Sequence, residues 1–178
     1  MNQLPGMATI RPEEVFRPSR IISGGQTGVD RGALDAAVEC SIPHGGYCPA
    51  GRLAEDGSIP AEYQLWELGS RQYSERTERN LAESDATLII YINRLSGGTA
   101  LTRRLCREHD KPVLAVRLSS TVLRSKGFKV DTVHVHQIVH WLSDVKPKTL
   151  NVAGPRESNH PGIALITQRL LCQVWQTS

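Results

Sequence analysis

The 178-residue chain contains no Cys-x-x-Cys pair, and its four cysteines, Cys40, Cys48, Cys106 and Cys172, are scattered along it. That spacing argues against a zinc knuckle and against a disulfide scaffold, so reduced, mostly buried thiols are expected. Cys48 alone falls in a glycine-rich segment where a thiol can face a ligand, although burial is the ordinary state of a free cysteine. No apolar run reaches membrane-spanning length, and the first residues carry no charged-then-apolar secretory pattern. The expectation is a soluble, cytoplasmic protein with no membrane partner. Strong charge imbalance is also missing. Twenty-one basic against 18 acidic side chains give a net charge of +3, which permits an anionic ligand but is too mild to argue for nucleic acid. The length suits one domain.

What is present is organised around Ile21-Ile22-Ser23-Gly24-Gly25-Gln26-Thr27-Gly28-Val29-Asp30-Arg31. An apolar strand empties into a glycine turn and a helical period opens at once, so backbone N–H groups converge at a helix N-terminus and form an anion seat. Gly24, Gly25 and Gly28 permit close approach, and Gln26 and Thr27 add donors. The loop lacks the Gly-Lys-Ser/Thr ending of a P-loop and does not fit the dinucleotide fingerprint, so neither ATP hydrolysis nor NAD follows from it. Asp30 suits the helix dipole from the first turn, or accepts from the N–H edge of a ligand.

Residues 1–19, with Pro5, Pro12 and Pro18 and no sustained period, read as a flexible arm before a single domain over 20–178. The first helix is expected over Val29–Cys40. A long Gly/Pro-rich loop follows, placing Arg52, Glu55 and Asp56 within five positions: either a solvated surface, or a cation for an anion and acids for a ring edge. A short helix is expected over Tyr63–Gly69, and a polar one over Ser74–Ser84 with Ser74 as a cap. Arg76, Thr77 and Asn80 share one side of it and either face solvent or line a cleft. Asp85–Ile92 is the clearest strand, apolar enough to be covered on both faces. Asn93-Arg94-Leu95-Ser96-Gly97-Gly98-Thr99 then repeats the strand, glycine turn and helix pattern, with the helix from Ala100 to His109. A strand over Val113–Leu118 and a helix over Val130–Val145 come next. His136 and His140 on that helix stand four apart, with no acid or cysteine nearby to complete a metal site. A third junction runs from the strand Thr149–Ala153 through Gly154-Pro155-Arg156-Glu157-Ser158-Asn159 into a closing helix. Arg156, Ser158 and Asn159 are either turn residues or oxyanion ligands. Alternation of strands and helices predicts a three-layer α/β/α, Rossmann-like fold with a mostly parallel sheet, whose post-strand loops share one edge.

The motifs Ser23-Gly24-Gly25-Gln26-Thr27-Gly28-Val29-Asp30-Arg31, Cys48-Pro49-x-Gly51-Arg52-x-x-Glu55-Asp56-Gly57, Arg76-Thr77-x-x-Asn80, Ser84-Asp85, Gly97-Gly98-Thr99 and Asn151-Val152-Ala153-Gly154-Pro155-Arg156-Glu157-Ser158 occur in this order. With them the chain resembles the molybdenum-cofactor carrier family of the Rossmann-like SLOG superfamily. The resemblance implies a protein that binds the molybdenum cofactor, a pterin with a terminal phosphate and a dithiolene-held molybdenum, protects it and delivers it to apo-molybdoenzymes. It also implies a homo-oligomer. Gly24, Gly25, Gln26, Thr27, Gly28, Asp30, Arg31, Arg52, Glu55, Asp56, Arg76, Thr77, Asn80, Ser96, Gly97, Gly98, Thr99, Gly154, Arg156 and Ser158 are the candidate cargo-binding residues, and no catalytic or metal-ligating residue is expected. The alternatives are a nucleotide sensor and a phosphoribohydrolase. In related hydrolases a catalytic glutamate follows the second glycine loop, and here Thr102 stands in its place.

Overall fold

The computed structural model describes residues 15–124 and 130–176. Most of the arm, residues 1–14, lies outside that set. Val15 and Phe16 pack against the core, and Arg17 Nη2 donates to the Cys40 carbonyl at 2.6 Å. The run around Ile21 folds as β1 (Arg20–Ile22), and α1 (Val29–Glu39) follows the glycine turn. β2 (His44–Gly45) then pairs in parallel with β1. The long loop carries β3 (Tyr47–Cys48), the small antiparallel hairpin of β4 (Leu53–Ala54) and β5 (Gly57–Ser58), and β6 (Trp66–Glu67). After α2 (Tyr73–Ala82) come β7 (Ala86–Ile92), α3 (Gly97–Glu108), β8 (Val113–Leu118), α4 (Thr132–Val145), β9 (Thr149–Ala153) and α5 (Ile163–Gln176).

Three local expectations are corrected. Tyr63–Gly69 is not a helix: β6 pairs in parallel with β3. The apolar residues of that stretch, Tyr63 and Leu65, stand two apart and enter one cluster with Leu34, Cys48 and Ile59, a spacing that an extended chain satisfies and a helix does not. Ser74 is not a cap. Gln72 holds that position without a side-chain bond, and Ser74 is already inside α2. α3 begins at Gly97 rather than Ala100, because Ser96 is extended (φ −147°, ψ 166°) and the chain turns into the helix directly after it.

The five main strands are all parallel, in the order β2-β1-β9-β7-β8. β7 shows why the sheet is covered twice. Ala86, Leu88, Ile90 and Ile92 face the large core built with α1, α4 and α5, while Thr87 on the opposite face meets Cys106 of α3 and Asn151. Helices therefore lie on both faces, giving the three-layer Rossmann-like α/β fold expected. Taking β9 first and then β1, β2, β7 and β8, the spatial order becomes 3-2-1-4-5, that of a doubly wound nucleotide-binding sheet. The chain is that sheet with its first strand moved to the end.

Local polar contacts fix α2 on this frame. Lys111 Nζ donates to the carbonyls of Leu81, Ala82 and Ser84 at 2.7, 2.9 and 2.5 Å, satisfying the C-terminal end of the helix with a cation. Asp85 Oδ2 accepts from Thr149 N at 2.8 Å, so the Ser84-Asp85 motif is a strand-docking device. Lys111→Met removes charge-assisted bonds from part-buried carbonyls and is expected to cost about 2 kcal/mol. Urea unfolding checks this through a lowered midpoint at unchanged slope.

Candidate functional site

Because β1, β9 and β7 are parallel neighbours, the loops leaving their carboxyl ends lie side by side. They enclose a cavity of about 420 Å³ with the first turns of α2 and α3. Of the sequence-predicted residues, Gln26, Asp30, Arg76, Thr77, Ser96, Gly97, Gly98, Thr99, Gly154 and Arg156 line it. The cavity lies between the ends of β9 and β7, where strand order reverses in a doubly wound sheet.

The loop after β1, expected to be the anion seat, is engaged within the protein at several of its groups, and its Gly24, Gly25 and Gly28 are not among the residues that line the cavity. Thr27 N donates to Gln26 Oε1 at 3.0 Å, Val29 N to the Pro155 carbonyl at 3.2 Å, and Thr27 Oγ1 to Glu55. Its glycines make room for protein rather than ligand. The Arg76 guanidinium occupies the space a Gly24 side chain would need, Leu65 and Ile59 occupy that of Gly25, and the backbone of Pro155 to Glu157 that of Gly28. The α5 terminus is closed as well. The Glu157 carboxylate accepts from Gly162 N and, at 3.0 Å, from Ala164 N. An acid already sits where the helix dipole would draw an anion.

The α3 terminus differs. Among the described residues nothing accepts from the amides of Gly97, Gly98 or Thr99, and open space surrounds the Cα atoms of Gly97 and Gly98. Arg94 and Arg156 also line the cavity and form no ion pair among the described residues. Arg156 and Arg76 stack over the Tyr73 ring, 4.9 and 5.8 Å from its centroid. The cavity floor is the Asp30–Arg76 ion pair, Oδ2 to Nη1, at 3.1 Å. Burial pushes the Asp30 carboxyl above its usual range, and the Arg76 charge and the Gln26 backbone N–H pull it back in part.

The remaining predicted residues are placed outside the cavity with identifiable structural tasks. Arg52 does not present its guanidinium to an anion; it donates to the carbonyls of Ile59, Leu65, Pro60 and Tyr63 at 2.8–3.3 Å and so ties the long loop together. Arg31 pairs with Asp56 through two bonds of 2.7 and 2.9 Å. Glu55 is a clasp rather than a ring-edge acceptor. It takes the Thr27 hydroxyl and, from Ser158, the N–H at 3.1 Å and the hydroxyl at 2.6 Å. Asn80 brackets the Tyr47 backbone with both ends of its amide. Cys48 is fully buried, its thiol pushed up by desolvation, and it is not among the residues that line the cavity. His136 is exposed, and His140 does have an acid nearby, contrary to the sequence reading: Asp144, one helical turn on, lies 3.5 Å from it, although no group of three metal-competent side chains occurs among the described residues.

Sequence reasoning missed Tyr73, Tyr91, Arg94 and His160, all of which line the cavity. Arg94 was legible in principle, since it stands directly after a strand and before a glycine turn. Tyr73 carried no such signal, because its place depends on how α2 docks.

Comparison with known proteins agrees with this architecture. Residues 21–175 match the model of the circularly permutated YpsA SLOG family, and the permutation is the strand rearrangement described above. A crystal structure from Syntrophus aciditrophicus SB, named "Putative molybdenum carrier protein", is 40% identical. It aligns over 90% of this chain and 96% of its own, with a TM-score of 0.79. No curated protein matches.

The Glu55 clasp and the Asp56 pair make the hairpin acid-labile. Burial opposes ionisation of Glu55, but the Ser158 and Thr27 donors outweigh it and hold the carboxyl below its usual range, while Arg31 does the same for Asp56. Their stabilisation is therefore complete above the unfolded carboxylate range and is lost as pH falls through and below it. Amide exchange across residues 53–58 is expected to accelerate once pH drops below about 4, relative to β7 corrected for intrinsic rate. Glu55→Ala is expected to reproduce that acceleration at neutral pH.

Proposed function

This chain belongs to the circularly permutated YpsA SLOG family, and from that premise we propose that it binds the molybdenum cofactor, shields it and passes it to apo-molybdoenzymes. The observation that carries this reading is the set of donors, without an acceptor among the described residues, that line one cavity: the Gly97, Gly98 and Thr99 amides, together with the Arg94 and Arg156 guanidiniums on the same lining. A phosphate monoester requires several converging N–H donors and cationic charge, and a cavity lined by a helix terminus and two guanidiniums offers both. The tricyclic pterin of the cargo needs a flat, partly apolar wall, which Tyr73, Tyr91, Ile92 and Leu101 offer. The volume of about 420 Å³ falls in the range of small-molecule sites. The cofactor's dithiolene supplies the soft sulfur that molybdenum requires, so burial of Cys48 is no obstacle.

The same donors suit a nucleoside monophosphate, but hydrolysis of one is disfavoured here. Thr102 replaces the hydrolase glutamate, and its hydroxyl donates to the Gly98 carbonyl at 2.9 Å within α3. Asp30, the remaining acid on the cavity wall, is held by Arg76.

Purified protein is expected to slow oxidative loss of added molybdenum cofactor and to restore activity to an apo-molybdoenzyme on mixing. Protection no better than that given by albumin would count against the carrier reading. Arg94→Ala and Arg156→Ala are each expected to weaken cofactor binding about tenfold, the loss of one charge-assisted bond. Circular dichroism should show the fold unchanged.

A further inference from the structure

Two buried donors at the floor of the cavity have no partner, and they flank an ion pair. Gln26 is 4% exposed and its Nε2 is unsatisfied, while its Oε1 accepts from Thr27 N and Glu55 N. Arg76 Nε is likewise buried and unsatisfied, while its Nη1 serves Asp30. Both side chains line the cavity. Buried donors left without acceptors are costly, so this pair calls for an oxygen that the protein does not provide. An anionic oxygen set there is attracted by Arg76 and repelled by Asp30. Once Arg76 turns to the newcomer, the buried Asp30 carboxylate has lost its counter-charge, and such a group neutralises rather than remain ionised.

We propose that the Gln26–Arg76 floor is an oxyanion subsite, separate from the α3 amides, and that filling it takes Arg76 from Asp30 and one proton from solvent onto Asp30. In the exchange the Asp30–Arg76 pair is replaced by an anion–Arg76 pair, and the carboxylate becomes a carboxylic acid. Asp30 already sits above the usual carboxylate range because it is buried, with the Arg76 charge opposing; losing that charge moves it further the same way. The groups facing Asp30 are Arg76 from α2 and, from the loop after β1, the Ser23 hydroxyl and the Gln26 N–H. Arg94, Arg156 and His160 stand elsewhere on the cavity wall. The inference rests on the anion-holding part of the carrier reading and is independent of which cargo is carried.

Sulfate is a suitable probe, being a tetrahedral dianion that does not itself titrate near neutrality. Calorimetric titration of the full chain in two buffers of different ionisation enthalpy should show about one proton taken up per chain at saturation, contributed by the floor site and not by a sulfate on the α3 amides. Affinity should fall about tenfold for each pH unit of increase. Asp30→Asn is expected to abolish both the proton count and the slope, and to bind sulfate more tightly than wild type at the alkaline end. His160→Gln, which removes the histidine from the cavity wall, is expected to leave the proton count unchanged. Sulfate binding without proton uptake in the wild-type protein, or uptake that persists in Asp30→Asn, overturns the inference and leaves the α3 seat standing. No sulfate binding at any pH overturns the anion reading beneath both.

Discussion

Gly28 has no side chain, and the backbone of Pro155 to Glu157 lies in the space where one would be. The close approach is possible because Gly28 takes φ 82° and lets the Pro155 carbonyl cap the Val29 amide at 3.2 Å. It locks the first loop of the chain to the last. That lock decides where a ligand can enter, since it closes the gap between the ends of β1 and β9 and leaves the gap between β9 and β7 open. Glu55 reinforces it from outside by holding Thr27 and Ser158 together. With those loops sealed to each other, the helix-terminal amides that line the cavity without an acceptor among the described residues are those of α3.

The strands and helices that bury apolar periods were legible in the sequence: β7 with its continuous apolar run, α5 with Ile163, Ile166 and Leu170, and the glycine turns that follow β1, β7 and β9. Convergence of those turns followed from strand–helix alternation and is found. Which turn is open was not legible. The sequence places Ser23–Gly28 first, and its three glycines advertise close approach, but to what they approach depends on tertiary neighbours. Arg76, Leu65 and Pro155 are 52, 40 and 127 positions away from the glycines whose side-chain space they fill. Chain order also misled, because the strand that opens the nucleotide-binding arrangement is β9, near the end. Likewise no local feature of Gly-Pro-Arg-Glu-Ser shows that Glu157 folds back to cap α5, although an acid near a helix start is a familiar device.

The arginines make the same point electrostatically. Arg31, Arg52 and Arg76 each stand beside a motif that reads as anion-binding, yet the first two have their guanidiniums filled by protein oxygens and the third is held by Asp30. Arg94 and Arg156 carry the same charge and form no ion pair among the described residues. The difference lies in the long loop between β2 and α2, which supplies Asp56 and the four carbonyls but ends short of the β7–β9 gap. Charge type therefore identifies the candidates, and the distribution of neighbouring oxygens selects among them.

Under the carrier reading, holding and releasing impose opposite demands on one cavity. Amides of a helix terminus are fixed by the helix itself, so they bind an anion without ordering cost, and their dipole acts only within the first turn. Arg94 is exposed, so its attraction weakens with ionic strength and with any partner that offers it an acid. On that reading, a cargo held by fixed amides and a solvent-facing cation would be retained in isolation and loosened at a charged docking surface. A fully enclosed lysine or arginine would bind more tightly but would have to be uncovered first. On that reading, the open rim at Gly97 and Gly98, where a side chain would meet nothing within 4 Å, would give a cargo an exit that does not require the sheet or its helices to move.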